Sequence, residues 1–285
     1  ATALQEAMGE LESDDLFIYL LSGGTSALVE LPEHGITLEE FQKATSLMIR
    51  GGMPIAMMNG VRKHLSRVKG GKLATYTKAE GIVLVLSDVV GDDLHAIGSA
   101  PLYCDTTTFS DAVTNLKAFG LFEQMPHSIQ RFLGEGVKGV YVETPKKVPE
   151  RIEHYILGCN TIVLQKAQEL LNKAGVETTV IDEPLQGDVT DIAEQLLTLA
   201  RRPISKRHCY LQGGEATVTV KGDGRGGRNQ HLCLTVVDKL EGDTDITFLS
   251  AATDGVDGNS DAAGALIDLH SRANAQVNHI DPKHY

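Results

Sequence analysis

Basic residues are in short supply. Lys and Arg number 26 against 38 Asp and Glu, a formal net charge of -12. That deficit excludes non-specific binding to nucleic acid or to an anionic membrane, since both need a basic face. Small anionic substrates stay open, because the local field of a site can oppose the global charge. Cysteine is also scarce: Cys104, Cys159, Cys209 and Cys233 are widely spaced, with no Cys-x-x-Cys pair and no zinc spacing. Reduced thiols in a cytoplasmic protein are the expectation. No apolar run approaches the roughly 20 residues of a membrane span, and no signal peptide or internal repeat is visible. Oligomeric state, monomer or dimer, stays open.

What is present suits a folded chain. Hydrophobic residues make up 42% and charged residues 22% of 285, enough apolar material for one or two domains with sizeable cores. Strand-like runs are expected at 15–21, 81–86, 154–157, 176–181, 208–211 and 246–251. Helical runs are expected at 37–50, 54–66, 109–119, 127–133, 161–173, 189–202 and 229–240. Thr37 with Glu40 three residues on is a capping box, and Asp188 caps the run after it. Residues 136–150, with Lys146-Lys147 between Pro145 and Pro149, are the best candidate linker, which gives domains at 1–145 and 146–285. The fold class is therefore α/β: two α/β domains with largely parallel sheets flanked by helices. In such sheets ligands sit at the carboxyl ends of strands. The glycine- and aspartate-rich motifs below all fall at such ends.

The stretch Lys221-Gly222-Asp223-Gly224-Arg225-Gly226-Gly227-Arg228-Asn229-Gln230 lies between an alternating strand-like run and a helix. Backbone N–H groups at a helix start favour an anion, and Arg225 and Arg228 add fork-shaped donors for phosphate or carboxylate. The next strand runs into Thr253-Asp254-Gly255-Val256-Asp257-Gly258, where either aspartate can hold a metal or accept a proton. The bland alternative is a solvated turn. Gly222, Gly224 and Gly227 also match a dinucleotide fingerprint literally. The preceding strand is too polar, however, and no acidic residue ends the next strand about 20 residues on.

Earlier in the chain, Ser22-Gly23-Gly24-Thr25-Ser26 follows a strand and offers hydroxyls beside glycines that let an anion approach the main chain. An ordinary strand-to-helix turn is the alternative. Ser87-Asp88 and Gly91-Asp92-Asp93-Leu94-His95 end another strand, and carboxylates clustered there suit Mg²⁺ or a helix cap. Arg62, Lys63, His64, Arg67, Lys69 and Lys72 form a basic segment, read evenly as charge for phosphates or as a solvated helix face.

Together these segments, with Val61-Arg62-Lys63-His64-Leu65-Ser66, Lys69-Gly70-Gly71-Lys72-Leu73-Ala74 and Gly213-Gly214-Glu215, resemble the glycerate 2-kinase family with a MOFRL C-terminal part. They occur in the family's order and cover nearly the whole chain. The resemblance implies ATP-dependent phosphorylation of D-glycerate to 2-phosphoglycerate, with Mg²⁺, in a cleft between a Rossmann-like first domain and a MOFRL-type second one. It implies Arg228 and Asp254 as catalytic residues. Substrate or nucleotide contacts are expected at Ser22, Gly23, Gly24, Ser26, Lys63, Glu215, Gly226, Gly227 and Asn229, and metal contacts at Asp88, Asp92 and Asp257. Two departures are Ala100-Pro101-Leu102, where Gly-Pro-Thr is usual, and Ala216 after Glu215, where Thr is usual. A lysine and an asparagine of the family's end segments have no counterpart, so the chain resembles a member incomplete at both ends. The alternatives to the kinase are an NAD(P)H-dependent hydroxypyruvate reductase and a non-catalytic anion-binding fragment.

Overall fold

The computed structural model describes residues 1–202, 207–220, 222–240 and 245–279. Lys221, first residue of the glycine-rich stretch, lies outside them. The chain divides into two compact units, Ala1–Cys159 and Asn160–Tyr285.

In the first unit, strands β1 (Leu16–Leu21), β2 (Glu80–Leu86) and β3 (Ile152–Gly158) form one parallel sheet in that order. Leu16 lies opposite Glu80, Leu21 opposite Val85, and Gly81 opposite Ile152. The period of two sends Phe17, Leu21, Val83 and Val85 into a core shared with Leu73, Ile97 and Leu102. Leu16, Ile18, Leu20 and Leu86 sit on the other face and are exposed. Leu16–Leu21 thus form a strand covered on one face alone among the described residues. Helix α1 (Thr2–Glu10) precedes this sheet, and the short helix α2 (Thr25–Leu28) follows β1.

Four more helices share a second core: α3 (Leu38–Arg50), α4 (Ile55–Leu65), α5 (Phe109–Ala118) and α6 (His127–Val137). Phe41, Met48, Leu65, Phe109, Leu116, Ile129 and Leu133 meet there. The capping box at Thr37 and Glu40 forms as expected, and Thr108 with Asp111 makes a second.

The boundary expected at 145/146 lies fourteen residues further on, at 159/160. β3 pairs with β2 and so belongs to the first sheet. Nor are residues 136–150 a linker. The amide of Asp105 donates to Pro145 O at 2.8 Å, Phe109 N donates to the Glu143 carboxylate at 2.8 Å, and Thr144 is buried. Their polar composition imitates a linker because these side chains satisfy charges inside the fold.

In the second unit, β4 (Glu177–Asp188) and β5 (His208–Thr217) pair in parallel, while β6 (Phe248–Ala251) and β7 (Gly264–Ile267) pair antiparallel. The antiparallel pair departs from the parallel pattern expected from the sequence. Helices α7 (Asn160–Lys173), α8 (Val189–Ala200) and α9 (Arg228–Lys239) lie between the strands in sequence, and α10 (Ser271–Val277) follows. Ile192, Leu197, Leu232, Val236 and Ile267 close the core. Asp188 caps α8 through Thr190 N at 2.9 Å. Among the described residues no helix is long and apolar enough to cross a membrane.

Candidate active site

Both units gather their motif residues at the carboxyl ends of strands. In the first, β1 runs straight into Ser22-Gly23-Gly24, and Gly24 adopts φ +80°, a conformation open to glycine. Gly23 lies against the loop after β2: a Cβ there would come within 2.4 Å of Asp88 Oδ2. The turn and the Asp88 carboxylate are therefore immediate neighbours, both exposed. Thr25 Oγ1 donates to Ser22 O at 2.8 Å and holds the turn shut. Ser26 is bound on both sides, by Ser99 Oγ at 2.7 Å and through its carbonyl by Lys69 Nζ at 2.6 Å and Arg62 Nη2 at 3.1 Å. Its hydroxyl thus serves to fix the turn. Asp92 is half-buried in a left-handed backbone (φ 54°).

The lysines of the basic segment fit neither expected reading, because they point inward. Lys69 pairs with Glu30 at 2.6 Å, Lys72 with Glu33 at 2.6 Å, and Lys63 with Asp105 at 3.3 Å. Desolvation lowers the pKa of Lys69 and of Lys72, partly offset by Glu30 and Glu33 respectively. Lys63 as a substrate contact is therefore corrected. It is buried, and its charge is spent on Asp105. Burial pushes Asp105 upward, but Lys63, the Thr107 amide, His64 and the Thr107 hydroxyl outweigh it and hold the carboxyl below its ordinary range. His64 is fully enclosed, with Nδ1 2.7 Å from Gly60 O and Nε2 3.0 Å from Glu143 Oε2.

In the second unit the site centres on the start of α9. The anion expected there is present, but the protein supplies it itself. Asp257 accepts from the backbone amides of Asn229 (3.0 Å) and Gln230 (2.8 Å), and from their side-chain amides at 3.0 and 3.1 Å. Only 1% of it is exposed. Desolvation raises its pKa, but the two backbone hydrogen bonds, then the two side-chain ones, bring it below the usual carboxylate value. Four N–H donors occupy the lone pairs of both oxygens, so the expected metal-binding role of Asp257 is corrected. Asn229 is engaged with it: its Nδ2 donates to Asp257 at 3.0 Å and its Oδ1 accepts from Ser250 Oγ at 2.7 Å, so each end of the amide holds a bond inside the fold.

The glycines of this loop answer to the same packing. A Cβ on Gly227 would meet Asp257 Oδ1 at 2.4 Å, and one on Gly258 would meet Gly226 O at 2.1 Å. Gly226 N is spent on Asn259 Oδ1 at 2.8 Å. These glycines let two protein loops close on each other, so their expected role of admitting a ligand is corrected for Gly226 N–H and for the space beside Gly227. Asn259 was missed in the sequence, although it follows Asp257-Gly258, a turn signal.

Arg228 and Glu215 form an ion pair, with side chains 45% and 57% exposed. An exposed pair contributes little stability, so an incoming anion can exchange with the Glu215 carboxylate on the guanidinium. Asp254 stands exposed after β6, and Oδ1 accepts from Val256 N at 3.2 Å. Among the described residues no three His, Cys, Asp or Glu side chains converge to hold a metal.

These features define an α/β protein with turn-borne hydroxyls, carboxylates and arginines at the carboxyl ends of its strands, a class suited to small anionic substrates. Residues 1–134 match a domain of unknown function, DUF4147, and residues 208–285 match the MOFRL family. The chain is 40% identical over 264 residues to a glycerate 2-kinase of Pyrococcus horikoshii, covering 90% of this chain and 60% of that protein. It is 33% identical to a glycerate kinase of Macaca fascicularis, covering 97% of this chain and 81% of the relative. A crystal structure of glycerate kinase from Thermotoga maritima superposes with a TM-score of 0.89 at 36% identity, covering all of this chain and 68% of that one. A putative hydroxypyruvate reductase of Agrobacterium vitis is 34% identical, over 97% of this chain and 64% of the relative. The chain belongs to the glycerate kinase family. It spans 60% of the Pyrococcus relative's length.

Proposed function

We propose that the protein carrying this chain is a cytoplasmic kinase that transfers the γ-phosphoryl group of ATP to the 2-hydroxyl of D-glycerate. The observation that carries this reading is the family membership, joined to an exposed arginine at the first position of α9 and an exposed aspartate in the loop after β6. Phosphoryl transfer is mainly positioning and charge neutralisation. Arg228, exchanging Glu215 for a substrate oxyanion, would clamp the transferred phosphoryl or the glycerate carboxylate. Asp254 would take the hydroxyl proton through the carboxylate oxygen that Val256 N does not use. Mg²⁺, when bound, neutralises phosphate oxygens and asks for one or two carboxylates. Asp88 in the first unit, or Asp254 in the second in place of the base role, would each offer one exposed carboxylate, and Asp257 would not. Phosphorus NMR of a reaction of the full-length protein with D-glycerate and MgATP tests the proposal. 2-Phosphoglycerate is the expected product, and the absence of any phosphorylated glycerate would sink it.

The second reading, hydroxypyruvate reduction, is favoured by the Agrobacterium relative's name; the literal glycine spacing adds nothing to it, because Asp257 fills the space beside Gly227. Enzyme-dependent NADH consumption with hydroxypyruvate would establish it in place of the kinase. The kinase assay run on the 285-residue chain beside the full-length protein, with calorimetry of ATP and glycerate on both, separates a catalytic chain from one that only binds anions.

A further inference from the structure

One cation of the basic segment is treated differently from its neighbours. Lys63, Lys69 and Lys72 each have a carboxylate within 2.6 to 3.3 Å. Arg62 has none within ion-pair distance among the described residues, although it is largely withdrawn from solvent. Desolvation pushes its guanidinium below the ordinary value, and Glu30, already paired with Lys69, pulls only partly the other way. Its donors are underused as well. Nη2 reaches Ser26 O at 3.1 Å, Nη1 reaches Asn59 Oδ1 only at 3.4 Å, and Nε, out of solvent contact, meets no acceptor among the described residues. The Phe41 ring lies 5.8 Å beneath the guanidinium carbon. Leaving a desolvated cation without a counter-charge is unfavourable, and the bond to Ser26 O fixes this one at the glycine turn beside Asp88.

We propose that Arg62 binds an oxyanion of the substrate, carboxylate or phosphate, at the Ser22-Gly23-Gly24-Thr25-Ser26 turn. This rests on the kinase reading for the identity of the substrates, but not for the anion site itself. An arginine fork presents paired donors to such a group, which a lysine at the same place would not.

The test uses the full-length protein with Arg62→Gln and Arg62→Lys. Michaelis constants are measured separately for glycerate and MgATP, and binding of each without turnover is followed by calorimetry. Arg62→Gln is expected to raise the KM and Kd of one of the two by about 10–100-fold, the range for a lost hydrogen bond to a charged group. Arg62→Lys should give a smaller rise in the same constant. A rise confined to glycerate assigns the carboxylate, and one confined to MgATP assigns phosphate. Both constants within about twofold of wild type, at an unchanged circular-dichroism melt, would overturn the proposal. Should Arg62→Gln fail to fold, Arg62→Lys decides: a raised constant supports the site and unchanged constants remove it. A wild-type protein that binds these anions but never phosphorylates glycerate would end the kinase reading, while leaving Arg62 to be judged by calorimetry.

Discussion

At the scale of single residues, two aspartates three positions apart behave oppositely, and the difference is testable. Asp257 is buried under four N–H donors and Asp254 is exposed. Asp257→Asn turns an acceptor carboxylate into a group whose NH₂ faces donors. Hydrogen bonds to charged groups contribute about 1.5–3 kcal/mol each, so we expect a loss of about 2 kcal/mol in urea unfolding. Asp254→Asn can still accept from Val256 N, and its stability should stay within about 0.5 kcal/mol of wild type. Turnover should respond differently. In the full-length protein, Asp254→Asn is expected to lower kcat about 10²–10⁴-fold if it is the base, with Mg²⁺ dependence unchanged. A raised Mg²⁺ requirement would instead mark it as a metal ligand. Arg228→Lys keeps the charge but loses the planar fork, so a large fall in kcat with an unchanged melt is expected. Near-normal turnover of both variants would make the pair structural.

At the scale of elements, the sheet of the first unit depends on one close approach. Gly81 on β2 lies directly under Phe17 of β1, its partner in register, and a Cβ there would sit 2.1 Å from the ring. Gly81→Ala must displace a buried phenyl ring, so we expect a cost of about 1–3 kcal/mol, read as a lower urea midpoint with an unchanged m-value. Gly175→Ala, at φ +78° with nothing within 4 Å, isolates the backbone contribution instead and sets the scale for strain without a clash. The strand itself was legible as a six-residue apolar run, but the reason for its glycine was not. That reason belongs to the pairing of two segments sixty-four positions apart.

At the scale of the whole molecule, folding encloses charge in an acidic chain that has little positive charge to spare. Asp105 and Asp257 both have folded pKa values below their ordinary range. A carboxyl depressed on folding contributes stability that is fully present above its unfolded value of about 3.9. That stability is lost as pH falls from there through the folded value. The protein should therefore hold its urea midpoint down to about pH 4 and lose stability steeply below it. Because the chain lacks tryptophan, far-ultraviolet circular dichroism is the suitable probe. Asp257→Asn should shallow that acid limb, and an unchanged slope would mean that Asp257 is not held below its unfolded value.

Local order was decided by the sequence itself. Helix starts at Thr37 and Asp188, the strand before Ser22-Gly23-Gly24 and the strand–loop–helix order around Arg228 all follow from nearest-neighbour chemistry. That order carried the fold class and brought the motifs to strand ends. Partners distant in the chain were decided only by the tertiary structure. A lysine and an aspartate forty-two positions apart became a buried pair, and a Pro- and Lys-rich stretch became part of a core unit. The anion at the start of α9 proved to be Asp257, twenty-eight residues beyond Asn229. A charged side chain looks the same in sequence whether it meets water, a ligand or another charge. Which of the three it meets is fixed by desolvation and by what the fold brings within hydrogen-bond reach.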